Sequence, residues 1–228
     1  EDGFEAVFIG TGTAIAKGLG IPGEDLKGVI QSSYLLRMTR LFKDGNVGRE
    51  EVPVEEGDEV IVIGAGNVAM DACRTAVMMK ASHVTVCYRK TIEFMKAARA
   101  EYDGAVKDGV DFKWEHAPLE VVGKDGKVTG LKVSTPEGEK IIPADKILLA
   151  VGSKPSGSVI ASTDGIDADE SGYVITSQKP YGMTAKKGVF AGGDVVHKPA
   201  TVVLAMKEAK KVAQGISDYI EARHLLGV

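Results

Sequence analysis

The chain has 228 residues, 44% of them hydrophobic, and its 28 basic and 32 acidic side chains give a formal net charge of -4. This length suffices for one large domain or two smaller ones. The interspersed charges offer no basic face to a nucleic acid, and no apolar run approaches the roughly 20 residues that cross a bilayer. With no recognisable secretory leader, we expect a cytoplasmic protein without nucleic-acid or membrane partners.

The cysteines and histidines do not indicate metal or thiol chemistry. Cys73 and Cys87 do not form a C-x-x-C pair, so a dithiol redox centre is not supported. The four histidines are scattered, without the spacing of metal ligands. We also find no His-Asp or Tyr-Lys pair for acid–base catalysis. The sequence therefore predicts no metal site and no catalytic side chain.

The first elements alternate between strand and helix patterns. The stretch EAVFIGTG at 5–12 is a short apolar run bounded by glycine, which predicts a buried parallel strand. Residues 32–42 carry apolar side chains at helical spacing, with Ser32 or Ser33 as the candidate N-cap. The charged, glycine-containing stretch 43–58 predicts a loop and is the best candidate for an inter-domain connection.

Residues 58–90 predict a βαβ unit. VIVIG is typical of a buried strand, NVAMDACRTAVMMK of a helix and HVTVCYR of a second strand. The connections are short, so the two strands should be parallel. We expect a further helix over about 93–108.

The second half of the chain changes character. Residues 110–145 contain short alternating runs, and KDGK at 124–127 is typical of a tight hairpin turn, so we expect a small antiparallel meander. KILLAVGSKP at 146–155 is another apolar run that ends in glycine, and 153–187 is polar and loop-rich.

The chain closes with the strand-like GVFAGGD and a helix from Thr201. Apolar residues at helical spacing predict the buried stripe of that helix. The stripe consists of Val202, Met206, Ala209, Ala213, Ile216 and Ile220.

The loop of the βαβ unit, VIVIGAGNVAMD, matches the pattern G-x-G-x-x-A with Gly64, Gly66 and Ala69. Between a buried strand and a helix, this pattern predicts a dinucleotide site. Gly64 permits the tight turn, Gly66 lets a pyrophosphate approach the backbone, and Ala69 lets the helix lie close to the strand. The helix N-terminus then directs free N–H groups at the phosphates. The alternative is a glycine turn with a purely structural role.

The end of the second strand indicates which nucleotide binds. NAD and FAD sites usually place Asp or Glu there, to bind a ribose hydroxyl. Here the strand ends in CYRK, with Arg89 and Lys90 and no acid. Cations suit a 2′-phosphate, so the loop favours NADPH over FAD. The alternative for Arg89 and Lys90 is a solvated basic turn. For Arg74, a solvated helix face and a phosphate contact are equally good interpretations.

The order of these motifs resembles the glutamate synthase small (beta) subunit family over nearly the whole chain. The segments that carry the resemblance are GFEAVFIGTGT, GIPGEDLKGV, VIVIGAGNVAMDACRTA, VTVCYRK, ILLAVGSKP and GVFAGGDVVHKPATVVLAMKEAKKVA. Similar families include the large subunits of electron-bifurcating ferredoxin:NADP oxidoreductase and of sulfide dehydrogenase. More distantly, the chain is similar to thioredoxin reductase and to the electron-input end of dihydropyrimidine dehydrogenase.

The resemblance implies an α/β flavoprotein with two Rossmann-like domains, in which NADPH reduces FAD and electrons leave through iron–sulfur clusters to a partner subunit. It implies an NADPH site at Gly64, Gly66, Asn67, Val68, Ala69, Arg89 and Lys90. It implies FAD contacts at Gly193 and Asp194, with Thr201 and Val202 opening the helix that faces the flavin. Gly152 ends one of the two crossings between domains. The alternative for Asp194 is a capping or turn aspartate.

The chain lacks the cluster-binding cysteines of the family and its first glycine loop, which holds the FAD pyrophosphate. We therefore expect a fragment of a longer protein. Residues 1–50 would be a residual FAD-domain strand and linker, 51–152 the NADPH domain with its parallel sheet and meander, and 153–228 the C-terminal part of the FAD domain.

Three functions compete at this point. The first is an NADPH-dependent flavin oxidoreductase, whose partner is a large glutamate synthase-type subunit or another electron acceptor. The second is an NADP(H)-binding module without catalysis of its own. The third, a dehydrogenase acting directly on a small substrate, lacks acid–base residues and ranks lowest. FAD binding by this chain alone and a homo-oligomeric state stay open.

Overall fold

The computed structural model describes residues 3–199 and 201–227. They form two compact units, one comprising Gly18–Val151 and the other Glu1–Lys17 with Gly152–Val228. We call the first the central unit and the second the terminal unit. The sequence predicts the first domain boundary at residue 50, whereas the structure places it at residue 17. The reason is that residues 29–31 form a strand in the sheet of the central unit.

The strands and helices run in the order β1 (Val7–Ile9), β2 (Ile15–Ala16), β3 (Val29–Gln31), α1 (Ser32–Lys43), β4 (Glu59–Ile63), α2 (Asn67–Met78), β5 (His83–Tyr88), α3 (Arg99–Lys107), β6 (Asp111–Trp114), β7 (Ala117–Lys124), β8 (Lys127–Thr135), β9 (Gly138–Pro143), β10 (Lys146–Leu149), β11 (Ser153–Lys154), α4 (Ser158–Ala161), β12 (Val189–Ala191) and α5 (Val202–Leu226). Short 3-10 helices cover Arg49–Glu51, Ile92–Phe94 and Gly193–Val195.

The central unit is built on a parallel five-stranded sheet in the order β3-β10-β4-β5-β6. Alternate residues of β4 face opposite layers. Val60 and Val62 pack with the helices, and Ile61 and Ile63 pack with the antiparallel meander β7-β8-β9. Because both faces of the sheet are covered, β4 reads as an unbroken apolar run. The predicted α/β fold, with its parallel sheet and meander, is confirmed.

Two expectations for the central unit need correction. The run DFKW does not join the meander: it forms β6, the parallel edge strand beside β5. Residues 43–58 do not connect two units, since they lie within the central unit and bury Val52 and Val54 in its core. The predicted hairpin turn is present, with Asp125 at φ 51° and Gly126 at φ 76°.

The helix ends also differ from the expectation. The N-cap of α1 is Gln31, without a side-chain cap, and neither Ser32 nor Ser33 takes that place. The hydroxyl of Ser32 is buried and has no hydrogen-bond partner among the described residues. The single helix expected over about 93–108 is instead a 3-10 turn followed, after a break, by α3.

The terminal unit contains two small ladders, a parallel pair of β1 with β12 and an antiparallel pair of β2 with β11. Its core includes Ile9, Val174 and Ala191. The helix α5 begins with Thr201 as its N-cap, whose Oγ1 accepts from the Leu204 N–H at 3.3 Å.

The predicted buried stripe of α5 is wrong in its first half. Val202 and Met206 are 76% and 59% exposed, and Ala209 and Ala213 are exposed as well. The buried face instead carries Val212 and Gly215. At Gly215 the backbone of Tyr181 approaches so closely that a side chain would not fit, and this contact turns the other face of α5 to solvent.

Among the described residues, no helix is both long enough and apolar enough to cross a membrane.

Candidate functional site

The loop between β4 and α2 adopts the tight turn that its sequence predicts. Gly64 has φ 128°, a conformation that residues with a side chain rarely adopt. A Cβ placed there would lie 2.5 Å from the carbonyl oxygen of Ala150. The Gly64 N–H donates to the Cys87 carbonyl oxygen at 3.1 Å. Gly64 thus fixes the loop between the ends of three neighbouring strands, β10, β4 and β5.

Gly66 plays a different part in the same loop. It is the N-cap of α2, with φ -101° and ψ 177°, and a Cβ there would meet nothing within 4 Å. The N–H groups of Gly66, Asn67 and Val68 donate to no acceptor in the described part of the chain. Open space beside a glycine and free N–H groups at a helix N-terminus fit a pyrophosphate.

Ala69 completes the loop as predicted. It is fully buried, and its N–H donates to the Gly66 carbonyl oxygen at 2.9 Å. Val68, one residue earlier, is exposed and lies beside the free N–H groups. The loop therefore combines a packed side, at Ala69, with an open side, at Gly66 and Val68.

Arg89 and Lys90 directly follow β5, the strand next to β4. Both side chains are exposed, and neither forms an ion pair among the described residues. The Lys90 Nζ lies 4.9 Å from the centroid of the Phe94 ring. The carboxyl ends of neighbouring parallel strands meet at one edge of the sheet, so these cations share that edge with the glycine loop.

Arg74 does not belong to this cation group. Its guanidinium forms ion pairs with Asp108 at 2.7 Å and Glu101 at 3.3 Å, and the hydrogen bond that it donates to Asp108 raises its pKa. These pairs link α2 to α3. The sequence left open a solvated helix face or a phosphate contact for Arg74, and the structure instead gives it ion pairs between these two helices.

One further feature of the site carries no recognisable sequence signal. The Asn67 Oδ1 accepts from the Ala98 N–H at 2.9 Å, and the Ala65 carbonyl oxygen accepts from the N–H groups of Lys96 at 3.0 Å and Ala97 at 3.1 Å. The segment after Arg89 and Lys90 is thus fastened to the glycine loop. The donors are backbone N–H groups, which every residue except proline has, so no pattern of residue types predicts these bonds.

The stretch GLGIPG matches G-x-G-x-x-G at Gly18, Gly20 and Gly23, but it is not a phosphate loop. It is followed by turns and no helix. The Glu24 carboxylate accepts from the N–H groups of Leu19 at 2.8 Å and Gly20 at 2.7 Å. A side-chain carboxylate therefore occupies the donors that a phosphate would need.

Both cysteines are inert in this fold. Cys73 and Cys87 are buried free thiols, and burial raises the pKa of each to about 12. Cys87 precedes Arg89 by two residues, yet it faces the core beneath the meander. Since the thiolate is the reactive form, neither residue offers a nucleophile at neutral pH.

In the terminal unit, the residues predicted to contact a flavin gather around the start of α5. Asp194 lies half-buried in the 3-10 helix, with no hydrogen-bond partner for its carboxylate in the described part of the chain. Gly193 has φ 74° and open space where a Cβ would lie. A cavity of about 140 Å³ is lined by Gly193, Asp194 and Thr201, among others. Val202 lies at the start of α5 and is exposed.

Gly152 stands apart from this group, at the crossing between β10 and β11. It has φ 94°, and its carbonyl oxygen accepts from the Lys17 N–H at 2.9 Å. The two crossings thus run side by side, Ala16 beside Ser153 and Ile15 beside Lys154. Gly152 has a turn-forming role there, and its contact with a cofactor stays a prediction.

Glu208 also lines the cavity beside Asp194. It is the centre of a polar cluster that the sequence did not predict. Its carboxylate accepts from the Tyr181 hydroxyl and pairs with Lys211 Nζ at 3.1 Å and His197 Nε2 at 3.2 Å. The hydrogen bond from Tyr181 holds the pKa of Glu208 below its usual value. The cluster joins α5 to Tyr181, which precedes β12, and to His197, which follows it.

A parallel sheet with a glycine loop that opens on a helix N-terminus defines an α/β nucleotide-binding protein of the Rossmann type. The chain belongs to the pyridine nucleotide-disulphide oxidoreductase family, whose model matches residues 1–209.

Individual relatives agree with this assignment. The chain is 35% identical to the glutamate synthase [NADPH] small chain of Halomonas elongata. The alignment has 242 positions, gaps included, and covers 96% of this chain and 50% of the relative. It is 30% identical to the NADPH-Fe(3+) oxidoreductase subunit beta of Geobacter sulfurreducens, covering 96% of this chain and 37% of the relative. The thioredoxin reductase structure of T. acidophilum matches with a TM-score of 0.74 at 26% identity, over 95% of this chain and 66% of that chain. The chain thus spans about half the length of the first of these relatives.

Proposed function

We propose that this chain is the NADPH-binding portion of a pyridine nucleotide–flavin oxidoreductase similar to the glutamate synthase small subunit. The observation that carries the proposal is the open cradle at Gly66, with the free N–H groups of Asn67 and Val68 beside it. The NADPH pyrophosphate would lie there, on the N-terminus of α2. Gly64 and Ala69 would support the loop from behind.

The choice of nucleotide rests on the end of β5. An acid at this place would repel a 2′-phosphate and bind a ribose hydroxyl instead. Arg89 and Lys90 offer two exposed cations without ion-pair partners in the described part of the chain. A guanidinium can bind a phosphate in a bidentate manner, so Arg89 is the stronger candidate.

When bound, NADPH supplies a hydride and FAD would accept it, so the chemistry belongs to the cofactors. The residues of this chain bind and orient them. In the terminal unit, Asp194 would accept from a ribityl hydroxyl, and the N-terminus of α5 at Thr201 and Val202 would face the flavin. The whole protein would deliver electrons to a large glutamate synthase-type subunit or another electron-accepting subunit.

A cytoplasmic location is part of the proposal. Both cysteines are buried free thiols, which is compatible with a reducing compartment.

The test is calorimetric titration of the chain with NADPH and NADH. One charge-assisted contact to the 2′-phosphate contributes about 1.5–3 kcal/mol, or roughly a ten- to hundredfold preference for NADPH. Arg89→Ala should remove most of this preference. Arg37→Ala, which removes another exposed arginine on α1, is the matched control and should leave it intact. Equal affinities of the wild-type chain for both nucleotides would refute the assignment.

The second candidate is an NADP(H)-binding module without catalysis. It is favoured by the exposed N-terminal half of α5, where the FAD contacts would lie. Visible absorbance of the purified chain, with and without added FAD, tests this candidate: uptake of FAD by the chain would rule it out, whereas a colourless chain fits both functions.

A further inference from the structure

Asn67 connects two parts of the candidate NADPH site. It is the first residue of α2, so its own backbone belongs to the helix turn that faces the proposed pyrophosphate position. Its side-chain Oδ1 accepts from the Ala98 N–H at 2.9 Å, across 31 residues of sequence. Ala98 is the N-cap of α3. The amide oxygen of Asn67 is therefore committed to the protein.

The segment that Asn67 holds carries the cations of the site. We call residues 89–98 the basic segment. Its middle is held by the Tyr88 hydroxyl, which donates to the Phe94 carbonyl oxygen at 3.0 Å. Its end is held by Ala65 and Asn67, which accept from three successive N–H groups, those of Lys96, Ala97 and Ala98.

We infer that Asn67 is a positioning residue: it couples the pyrophosphate loop to the basic segment, so that Arg89, Lys90 and Lys96 are held ready for the 2′-phosphate. The inference rests on the proposed NADPH binding. Of the three bonds that fasten the end of the segment, only that of Asn67 is accepted by a side chain, so this bond can be removed without altering the backbone. Lys96 is exposed and forms no ion pair in the described part of the chain.

The expected effect falls on one nucleotide more than the other. Without the Asn67 oxygen, the Ala98 N–H loses its acceptor and the basic segment loses one attachment. Cations that are no longer held in place must be ordered when the ligand binds, and this ordering weakens binding. NADH makes no 2′-phosphate contact, so its affinity should change little. Loss of this positioning therefore lowers the ratio of NADPH affinity to NADH affinity.

Two variants of the full chain test the inference. Asn67→Ala removes the acceptor, and we expect NADPH affinity to fall about fivefold while NADH affinity changes less than about twofold. Asn67→Asp keeps an oxygen that can accept from Ala98. Its charge opposes the pyrophosphate of both nucleotides alike, so the NADPH to NADH ratio should stay near that of the wild type.

A cycle with Arg89→Ala provides a second readout. If Asn67 acts through the basic segment, its substitution should cost less NADPH affinity in the absence of Arg89 than in the wild type, so the two effects should not add. Hydrogen exchange gives a third, independent of nucleotide. The Ala98 amide should lose protection in Asn67→Ala and keep it in Asn67→Asp.

The outcomes separate this inference from the proposed function. A wild-type chain without NADPH preference overturns both. A clear wild-type preference that survives in Asn67→Ala overturns only the positioning role, as does an equal loss of NADPH and NADH affinity, which would indicate direct contact of Asn67 with the shared part of the nucleotide. Additive effects in the cycle with Arg89→Ala would overturn it as well.

Discussion

Gly64 faces the carbonyl oxygen of Ala150 so closely that a Cβ on Gly64 would lie 2.5 Å from that oxygen. With φ 128°, Gly64 is also in a conformation that disfavours any side chain. We therefore expect Gly64→Ala to destabilise the fold by about 2–3 kcal/mol, through backbone strain and steric conflict together. Urea unfolding followed by circular dichroism measures the difference. A change below about 0.5 kcal/mol would show that the loop can relax.

Gly66→Ala is the matched substitution with the opposite expectation. A methyl group there meets nothing within 4 Å, and φ is -101°, so the free energy of unfolding should change by less than about 1 kcal/mol. The methyl group would occupy space proposed for the pyrophosphate, so we expect NADPH affinity to fall at least about tenfold. Calorimetry checks this. Unchanged NADPH affinity would move the nucleotide away from α2.

The terminal unit should bind FAD weakly at best. Asp194 and the start of α5 can contact one end of a flavin, but the described residues of the terminal unit contain no G-x-G-x-x-G loop before a helix that could hold the pyrophosphate. We expect a colourless preparation and no stoichiometric uptake of added FAD. Visible absorbance after gel filtration is the measurement. A yellow protein would contradict this expectation, and Asp194→Ala compared with Asp194→Asn would then test the ribityl contact.

Stability should decline at high pH because of the two buried thiols. Burial raises the pKa of Cys73 and Cys87 to about 12 in the folded protein, whereas the unfolded chain deprotonates each near its ordinary value of 9.0. Above that value the unfolded state binds fewer protons than the folded state. Below about pH 9 the thiols therefore do not lower the free energy of unfolding. As the pH rises from 9 towards 12, this free energy falls by at most about 1.4 kcal/mol per pH unit per thiol.

The control for this pH dependence is a chain without thiols. Other groups also titrate in this range, so the quantity to compare is the slope of unfolding free energy against pH in the wild type and in the variant with Cys73→Ala and Cys87→Ala. The variant should be less stable at neutral pH but show the shallower slope. Identical slopes would mean that burial does not hold these thiols protonated.

We expect the chain to self-associate through the terminal unit. The N-terminal half of α5 exposes Val203 and Met206, and β1 exposes Phe8 while pairing with only one strand among the described residues. Exposed apolar patches and unpaired strand edges favour association with another chain. Light scattering over a concentration series should show a rising mass.

Two lysine substitutions locate the contact. Val203→Lys should reduce association, whereas Leu225→Lys, which changes an exposed residue at the other end of α5, should not. A constant monomeric mass at every concentration would contradict the prediction.

The sequence predicted the βαβ unit of 58–90 well because independent signals coincide there: an apolar strand, a glycine pattern and a helix. It misplaced β6 because an edge strand with alternating polar and apolar residues looks the same in a parallel and an antiparallel sheet. In β6 the aromatic residues Phe112 and Trp114 stack on one face with ring centroids 5.6 Å apart. Local alternation cannot reveal which neighbour the strand pairs with.

The errors at α5 and at the basic segment have a different origin. Apolar residues occur on two faces of α5, and the buried one is selected by Tyr181, whose position no helical pattern encodes. The basic segment is held by backbone N–H groups that every residue except proline possesses. Contacts of this kind follow from tertiary structure, and so only the cations Arg89 and Lys90 could be read from the sequence.

The hydrogen bond from the Lys17 N–H to the Gly152 carbonyl oxygen has a consequence for how such a protein can be rebuilt. The chain enters the 18–151 unit directly after Lys17 and leaves it directly before Gly152. Since consecutive Cα atoms are about 3.8 Å apart, the first and last residues of the unit lie close together. The unit is therefore a single insert, interrupting its host at one point only. A gene segment encoding a related unit could be exchanged there as one cassette, with a single junction at each end.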